Sequence, residues 1–274
     1  MSIDAHFHCW QLARGDYGWL TPSLAPIYRD VAVSDWQQQA AAHGVDGGVL
    51  VQAAPTEAET AFLLEQADAH PGVLDVVGWV DWLAADAPAR IKALARHARL
   101  KGLRPMLQDI DDVRWIVQPA LAPALHTMSD CGLVFDALIK PSHLPHIVTL
   151  AKRYPDLRIV IDHAAKPHIA AGEWQPWADG MTRLASQTTA SCKLSGLMTE
   201  AGPAPEPGAV RRWAEHVLAC FGAPRVLWGS DWPVPELSGS YAQWWAETQL
   251  LLAHLSPLEQ VAIMGGNARR LYRL

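Results

Sequence analysis

Arg225-Val-Leu-Trp-Gly-Ser-Asp-Trp-Pro-Val234 is a short apolar run that delivers one acid, Asp231, just before a proline. Branched and aromatic residues favour extended backbone, and Pro233 must end it, so Asp231 stands at the C-terminal end of a strand. Taken alone, Asp231 reads equally as a turn or cap residue. Its meaning is set by the opposite end of the chain, Asp4-Ala-His-Phe-His8. Side chains at i and i+2 of a strand share a face, so His6 and His8 converge on one point. Two converging imidazoles suit a metal ion or a polarised carbonyl oxygen. A fold that makes the first and last strands neighbours turns residues 6, 8 and 231 into one site.

The stretches between these ends alternate regularly. Strand-like runs begin near Ile3, Val45, Val76, Leu100, Leu133, Arg158, Ala190 and Arg225. Helical patterns separate them, the clearest at 34–43, 56–70, 87–99, 112–131, 144–154, 177–187 and 209–221. Strand and helix alternating at this spacing signal right-handed βαβ units and a parallel sheet. Eight such units in 274 residues match a closed (β/α)8 TIM barrel formed by residues 1–274 as a single domain. The competing doubly wound open sheet lacks support, because no Gly-x-Gly-x-x-Gly follows any strand and Gly44-Val-Asp-Gly-Gly48 precedes its strand. In a closed barrel the first and eighth strands are adjacent, and active sites lie at the strands' C-terminal ends. His6, His8 and Asp231 then face one another across the mouth.

Strand six adds a fourth member through Ile159-Val-Ile-Asp-His-Ala-Ala-Lys-Pro167. Period-two parity puts His163 inward with Ile159 and Ile161, and turns Asp162 toward the helices. Strand four, read as Lys101-Gly-Leu-Arg-Pro-Met-Leu-Gln-Asp109, places Arg104, Met106 and Gln108 on one side. Arg104 is then a candidate to fork onto a substrate carboxylate or ring hydroxyl, or else an ion-pair partner of Asp109 or Asp136 beneath the rim. Lys140 and Lys166 are further mouth candidates. Of the 13 tryptophans, Trp10, Trp79, Trp82 and Trp232 fall at or near strand ends, where their rings suit stacking on a sugar as well as packing. The proline-rich run Thr199-Glu-Ala-Gly-Pro-Ala-Pro-Glu-Pro-Gly208 reads as a loop bordering the mouth.

Composition narrows the partners. A net charge of -6 with no basic cluster argues against nucleic acid. No apolar run approaches the roughly 20 residues that span a bilayer, and Met1-Ser-Ile-Asp does not open like an export signal. Cys9, Cys131, Cys192 and Cys220 are widely spaced, without a Cys-x-x-Cys pair, and read as reduced core thiols of a cytoplasmic protein. The expected partner is a small molecule, and the sequence leaves a homo-oligomer open.

His6-Phe-His8, Leu103-Arg-Pro-Met-Leu-Gln-Asp109, Asp162-His-Ala-Ala-Lys-Pro167, Cys192-Lys-Leu-Ser-Gly196, Gly229-Ser-Asp-Trp-Pro233 and Gly266-Asn-Ala-Arg-Arg-Leu-Tyr272 together resemble the amidohydrolase superfamily. The likeness is nearest to its branch of sugar and dicarboxylate lactonases, which includes L-fuconolactonase-like, L-rhamnonolactonase-like and 2-pyrone-4,6-dicarboxylate lactonase-like enzymes. It runs over nearly the whole chain in order. It implies a (β/α)8 barrel and hydrolysis of a lactone, with a sugar-acid (aldono)lactone as the expected substrate. By position it implies His6 and His8 as the first-strand pair, His163 as the strand-six histidine and Asp231 as the strand-eight acid. A related branch holds metal-dependent decarboxylases of the aminocarboxymuconate semialdehyde type.

One departure matters. Metal-dependent members usually place another histidine on strand five, where this chain has Phe135-Asp-Ala-Leu-Ile-Lys-Pro141, with Lys140 at the strand's end and His143 beyond it. His6, His8 and Asp231 plus water would still hold Zn²⁺ or another divalent ion, yet the expectation is activity without a required metal. Asp231 is the expected base for water, with His6 and His8 polarising the carbonyl and His163 supplying a donor. Arg104, Gln108, Lys140 and Trp232 are the expected substrate contacts. A lactone isomerase, a metal-dependent decarboxylase and a non-catalytic binding barrel are the alternatives.

Overall fold

The computed structural model describes residues 2–274. One eight-stranded sheet runs in chain order from β1 to β8. Its strands are β1 (Ser2–Phe7), β2 (Val45–Val51), β3 (Val73–Gly78), β4 (Leu100–Leu103), β5 (Val134–Ala137), β6 (Arg158–Ile161), β7 (Ser191–Leu194) and β8 (Val226–Trp228). Each neighbouring pair is parallel. Closure comes from the loop that follows β8. The Asp231 amide donates to the His6 carbonyl at 2.8 Å, the His8 amide donates to the Trp232 carbonyl at 2.8 Å, and Phe7 bridges Trp232 in parallel. The eight expected strands and the TIM barrel are therefore present.

Helices cover the outside, and two are shorter than their patterns suggest. The helix expected over 87–99 spans Ala87–Leu94, and the one expected over 112–131 begins only at Ala122, after two 3-10 turns. Pro119 and Pro123 account for the second, since each removes a backbone donor from a helix that would otherwise start earlier. The C-terminal helix Asn267–Tyr272 closes the N-terminal end of the barrel, where Arg158 at the start of β6 donates to the Leu271 carbonyl.

The interior layer is aliphatic: Ile3, Ala5, Val49, Val51, Val77, Val134, Val160 and Leu227 pack together over Tyr272. On β1 the alternation then breaks. Asp4 pairs with Gly48 and Phe7 with Leu50, so β1 advances three residues while β2 advances two. This bulge lets Ala5 and His6 both face inward. Asp4 points out to the Trp36 indole N–H at 2.9 Å, and Phe7 stacks on the Trp36 ring at 3.8 Å. His6 and His8 do share a face, but Asp4, two residues before His6, does not share it. Gly229 makes room for the bulge, because a Cβ there would lie 2.8 Å from the His6 Cβ. Among the described residues no helix is long and apolar enough to cross a membrane. All four cysteines are free.

Candidate active site

Three imidazoles surround one carboxylate oxygen at the C-terminal mouth of the barrel. Asp231 Oδ1 lies 3.4 Å from His8 Nε2, 3.7 Å from His6 Nε2 and 3.7 Å from His163 Nε2. The four residues read from sequence as a site are thus gathered, although two arrive by a different route. Asp231 has φ 60, and residues 163–166 follow one another at φ 51, 50, 61 and 49, all in the left-handed region. Period-two counting fails across such backbone. Val160 faces the barrel interior, while Ile159 and Ile161 pack in the outer layer. Asp162 therefore points inward, contrary to the parity reading, and the left-handed turn brings His163 to the mouth beside it. Gly196 is required opposite, because a Cβ there would lie 2.7 Å from His163 Nδ1. Ser195 Oγ instead meets that nitrogen at 2.9 Å and fixes the ring.

Beneath the mouth lies a buried layer of charge. Lys193, on β7, places Nζ 2.5 Å from Asp136 Oδ2, 3.0 Å from Asp162 Oδ1 and 3.2 Å from His6 Nδ1. Tyr272 Oη donates to the same Asp136 oxygen at 2.7 Å. Arg104 donates to Asp162 Oδ2 at 3.2 Å and to Gln52 Oε1 at 2.9 Å, and also reaches the Gln52 carbonyl. Arg104 is accordingly a buried ion-pair residue as well as a wall of the cavity, and its acid is Asp162 rather than Asp109 or Asp136. Lys193, Asp162, Gln52 and Ser195 were missed as functional residues. A lysine inside the strand Ser-Cys-Lys-Leu was the available signal, since a buried ammonium requires an acid partner.

Protonation follows from these contacts. Burial, reinforced by the Lys193 charge, holds His6 well below its usual pKa, and burial brings His163 down to about 4. Burial would raise Asp231, but His163 and the His8 hydrogen bond hold its carboxyl below the usual range. Asp162 is likewise held low, with Lys193 and His6 outweighing burial. The carboxylate of Asp231 therefore stays ionised near neutral pH, facing imidazoles of which His6 and His163 are neutral. Asp136, Asp162 and Asp231 oppose only Arg104 and Lys193, which leaves Asp231 as the acid without a fixed cation.

The donor set fits a divalent metal. His6 Nε2 and His8 Nε2 are 3.3 Å apart, and with the 3.4 and 3.7 Å spacings to Asp231 they approach the edge of about 3.4 Å expected of tetrahedral ligands at roughly 2.1 Å bonds. His6, His163 and Asp231 also offer one donor atom each within 4.8 Å of one another. Ligation through His6 Nε2 requires the proton on Nδ1, turned to Asp162 Oδ1 at 3.5 Å, whereas the Lys193 ammonium at 3.2 Å favours the other tautomer, so binding an ion there would shift that proton. His8 Nδ1 is held 2.7 Å from the Val51 carbonyl, which likewise turns Nε2 to the mouth.

A cavity of about 240 Å³ opens above Asp231, bordered by His8, Arg104, Gln108, His163, Lys166 and Thr199. Its cations are already engaged, Arg104 with Asp162 and Lys166 with Glu200 at 3.1 Å. Gln108 Oε1 and Thr199 Oγ1 are buried without partners. Leu24, Leu138, Val234 and Leu237 supply apolar walls. β4 ends at Leu103, yet Arg104, Met106 and Gln108 still line the cavity, the last from a 3-10 turn. Two expected contacts are elsewhere. Lys140 is exposed outside the cavity, because β5 ends at Ala137 and the chain turns away. Trp232 is buried behind the site, with its indole N–H on Glu236 at 3.1 Å.

Comparison with known proteins agrees with this architecture. The amidohydrolase family model matches residues 3–274. The chain is 47% identical to L-fucono-1,5-lactonase of Burkholderia ambifaria, over 99% of this chain and 95% of that protein. It is 33% identical to L-fucono-1,5-lactonase of Burkholderia multivorans, over 100% and 96%. A solved structure of an amidohydrolase from Burkholderia multivorans with bound zinc superposes with a TM-score of 0.93 at 32% identity, covering 100% of this chain and 99% of that one.

Proposed function

We propose, on the premise that this chain belongs to the amidohydrolase family, that it hydrolyses the ring ester of a neutral sugar-acid lactone of the L-fucono-1,5-lactone class. The observation that carries this reading is a carboxylate ringed by three imidazoles beneath a cavity whose two cations are both paired. A dicarboxylate lactone, or the acid that a decarboxylase takes, would need a free cation there. A polyhydroxylated neutral ring finds unpartnered oxygens at Gln108 and Thr199, and the apolar walls suit the methyl of a deoxy sugar. The 47% identity to an L-fucono-1,5-lactonase supports the same choice.

Four residues would perform the chemistry. Asp231 orients water and takes its proton as oxygen attacks the lactone carbonyl. His6, whose Nδ1 accepts from Lys193 and so leaves the proton on Nε2, would donate to the forming oxyanion over the fixed positive charge of Arg104, with His8 beside it, its Nδ1–H held on the Val51 carbonyl. The tetrahedral centre collapses by breaking the ring C–O bond, and the proton held at Asp231 passes to the departing alkoxide, with His163 positioned by Ser195 beside it. His6, His8, His163 and Asp231 are the residues that would hold a divalent ion, which when bound adds Lewis acidity toward the carbonyl and lowers the pKa of water. Hydrolysis would not require it, because β5 carries no histidine and its inward acid, Asp136, is already paired with Lys193.

The test is a panel of neutral aldonolactones including L-fucono-1,5-lactone, alongside a lactone dicarboxylate, followed by proton release. Neutral lactones should be opened, and the dicarboxylate should be poor. Hydrolysis of every neutral lactone at no more than the Asp231→Asn background, or a preference for the dicarboxylate, overturns the proposal.

A further inference from the structure

A second compartment adjoins the reaction cavity and is more than twice its size, about 520 Å³ against about 240 Å³. Trp19 and Met106 border both, so the two compartments share those side chains as a common wall. Its other walls include Trp79, Trp82 and Trp115, together with Asp16, Asp81 and Asp109. No lysine or arginine lines it. Asp16 is tied to Arg14 at 2.5 Å, whereas Asp81 and Asp109 are exposed at the rim. The Trp82 indole N–H is buried without an acceptor.

We propose that this compartment is a subsite for a neutral pyranose unit attached to the lactone-bearing ring, so that the enzyme also accepts glycosylated aldonolactones. The proposal rests on the lactonase reading of the neighbouring site. Its physical basis is independent of it. The smaller cavity lies below the range of about 300–1,000 Å³ usual for small-molecule sites and holds one ring, while the larger one lies within that range. Indole faces stack on the C–H faces of sugars, carboxylates accept from hydroxyls, and the unsatisfied Trp82 N–H seeks an oxygen. Asp81 and Asp109, neither of them paired with a cation, repel phosphorylated or acidic units, which leaves a neutral polyol as the occupant.

The experiment compares kcat/KM for a parent aldonolactone and for versions carrying one neutral pyranose on different hydroxyls, in wild type, Trp115→Leu and Asp81→Asn. Trp115 and Asp81 touch only the second compartment, and Asp81 is exposed, so at least that variant folds. One or more glycosylated lactones should match or exceed the parent in wild type, and the variants should lower only the glycosylated rates, by roughly five- to tenfold. Rejection of every glycosylated lactone by wild type, or equal losses on both substrate types, overturns the subsite. If no lactone of either type is opened, the reaction assignment fails. The subsite is then judged by calorimetric titration of wild type with neutral disaccharides: binding weakened by Asp81→Asn supports it, and absence of binding overturns it.

Discussion

Replacing Lys193 by methionine should be among the most damaging single changes outside the reacting groups. Methionine matches the lysine stem in length, so little packing is lost, but the ammonium that touches Asp136 at 2.5 Å and Asp162 at 3.0 Å disappears. Breaking a buried ion pair by deleting one partner costs about 3–5 kcal/mol. The cost must also depend on pH. Burial and the neighbouring Asp162 charge already raise Asp136 to about 6 despite Lys193. The folded chain therefore holds this proton more tightly than the unfolded one. The corresponding stability is full below the unfolded value near 3.8 and is lost as pH rises through about 6. Without Lys193 the folded value rises further, and the loss extends to higher pH at about 1.4 kcal/mol per unit. Urea denaturation of wild type and Lys193→Met at pH 5 and pH 8 should show a small deficit at the lower pH and most of the 3–5 kcal/mol at the higher. Adding Asp136→Leu should recover much of it, since Asp162 keeps Arg104. A deficit below about 1 kcal/mol at pH 8, or one unchanged between the two values, would refute the account of this layer as a mutually dependent charge set.

Other outcomes follow from the same geometry. Asp231→Asn should lower kcat by about 10² to 10⁴ with little change in urea midpoint, and retention of more than half the wild-type rate would remove Asp231 as the base. Exhaustive chelation of protein first incubated with zinc should leave substantial lactone hydrolysis; loss of all activity, restored by zinc, would make the metal essential. Arg104→Met should cost about 3–5 kcal/mol in denaturation because it leaves Asp136 and Asp162 sharing Lys193 as their one buried cation, and unchanged stability with a raised KM would return Arg104 to a purely substrate-binding role. Asp75, buried near the start of β3 with Oδ2 unpartnered, is raised by burial to about 7 against Lys101 and Arg99. Its folded value exceeds the unfolded one, so stability falls as pH rises from about 4 to 7, and Asp75→Asn should gain about 1–3 kcal/mol at pH 8 and nothing near pH 4; equal gains at both would sink this reading.

The barrel was legible because strand and helix periods are strong in every unit, and closure followed from the His6–His8 pair and Asp231 standing at the ends of the first and last strands. What the sequence concealed lies where backbone leaves regular strand geometry. The bulge on β1 reverses parity between Asp4 and His6, and the left-handed turn at 163–166 does the same after Asp162. Neither leaves a local signature as clear as a Gly or Pro. His163 was placed at the mouth by a count that did not apply, and Asp162 was sent outward by the same count. Trp232 and Lys140 failed for another reason: proximity to a motif in sequence does not say on which side of the strand's end the side chain emerges. Lys193 was visible but uninterpreted, since a lone buried lysine acquires meaning only when its acids, on two other strands, are known.

The vacant strand-five ligand position then has a physical explanation in the pairing beneath the mouth. Asp136 stands on β5 facing inward, and Lys193 from β7 neutralises it. A strand-five histidine aimed at an ion on His6 would have met that ammonium and the Arg104 guanidinium, which already lie 3.2 Å and 3.3 Å from the two nitrogens of His6. Fixed cations at these distances supply part of the positive field that an ion would otherwise bring, and they do so without needing to be loaded. Burial, helped by the Lys193 charge, also keeps His6 neutral, so its ring remains a hydrogen-bonding group rather than a competing charge. The remaining uncompensated charge is Asp231, placed where water and substrate meet. That single excess negative charge can be balanced by a proton during turnover or by a bound ion at rest, which is why the same four residues satisfy the spacing of a metal site and still suit hydrolysis by a carboxylate base.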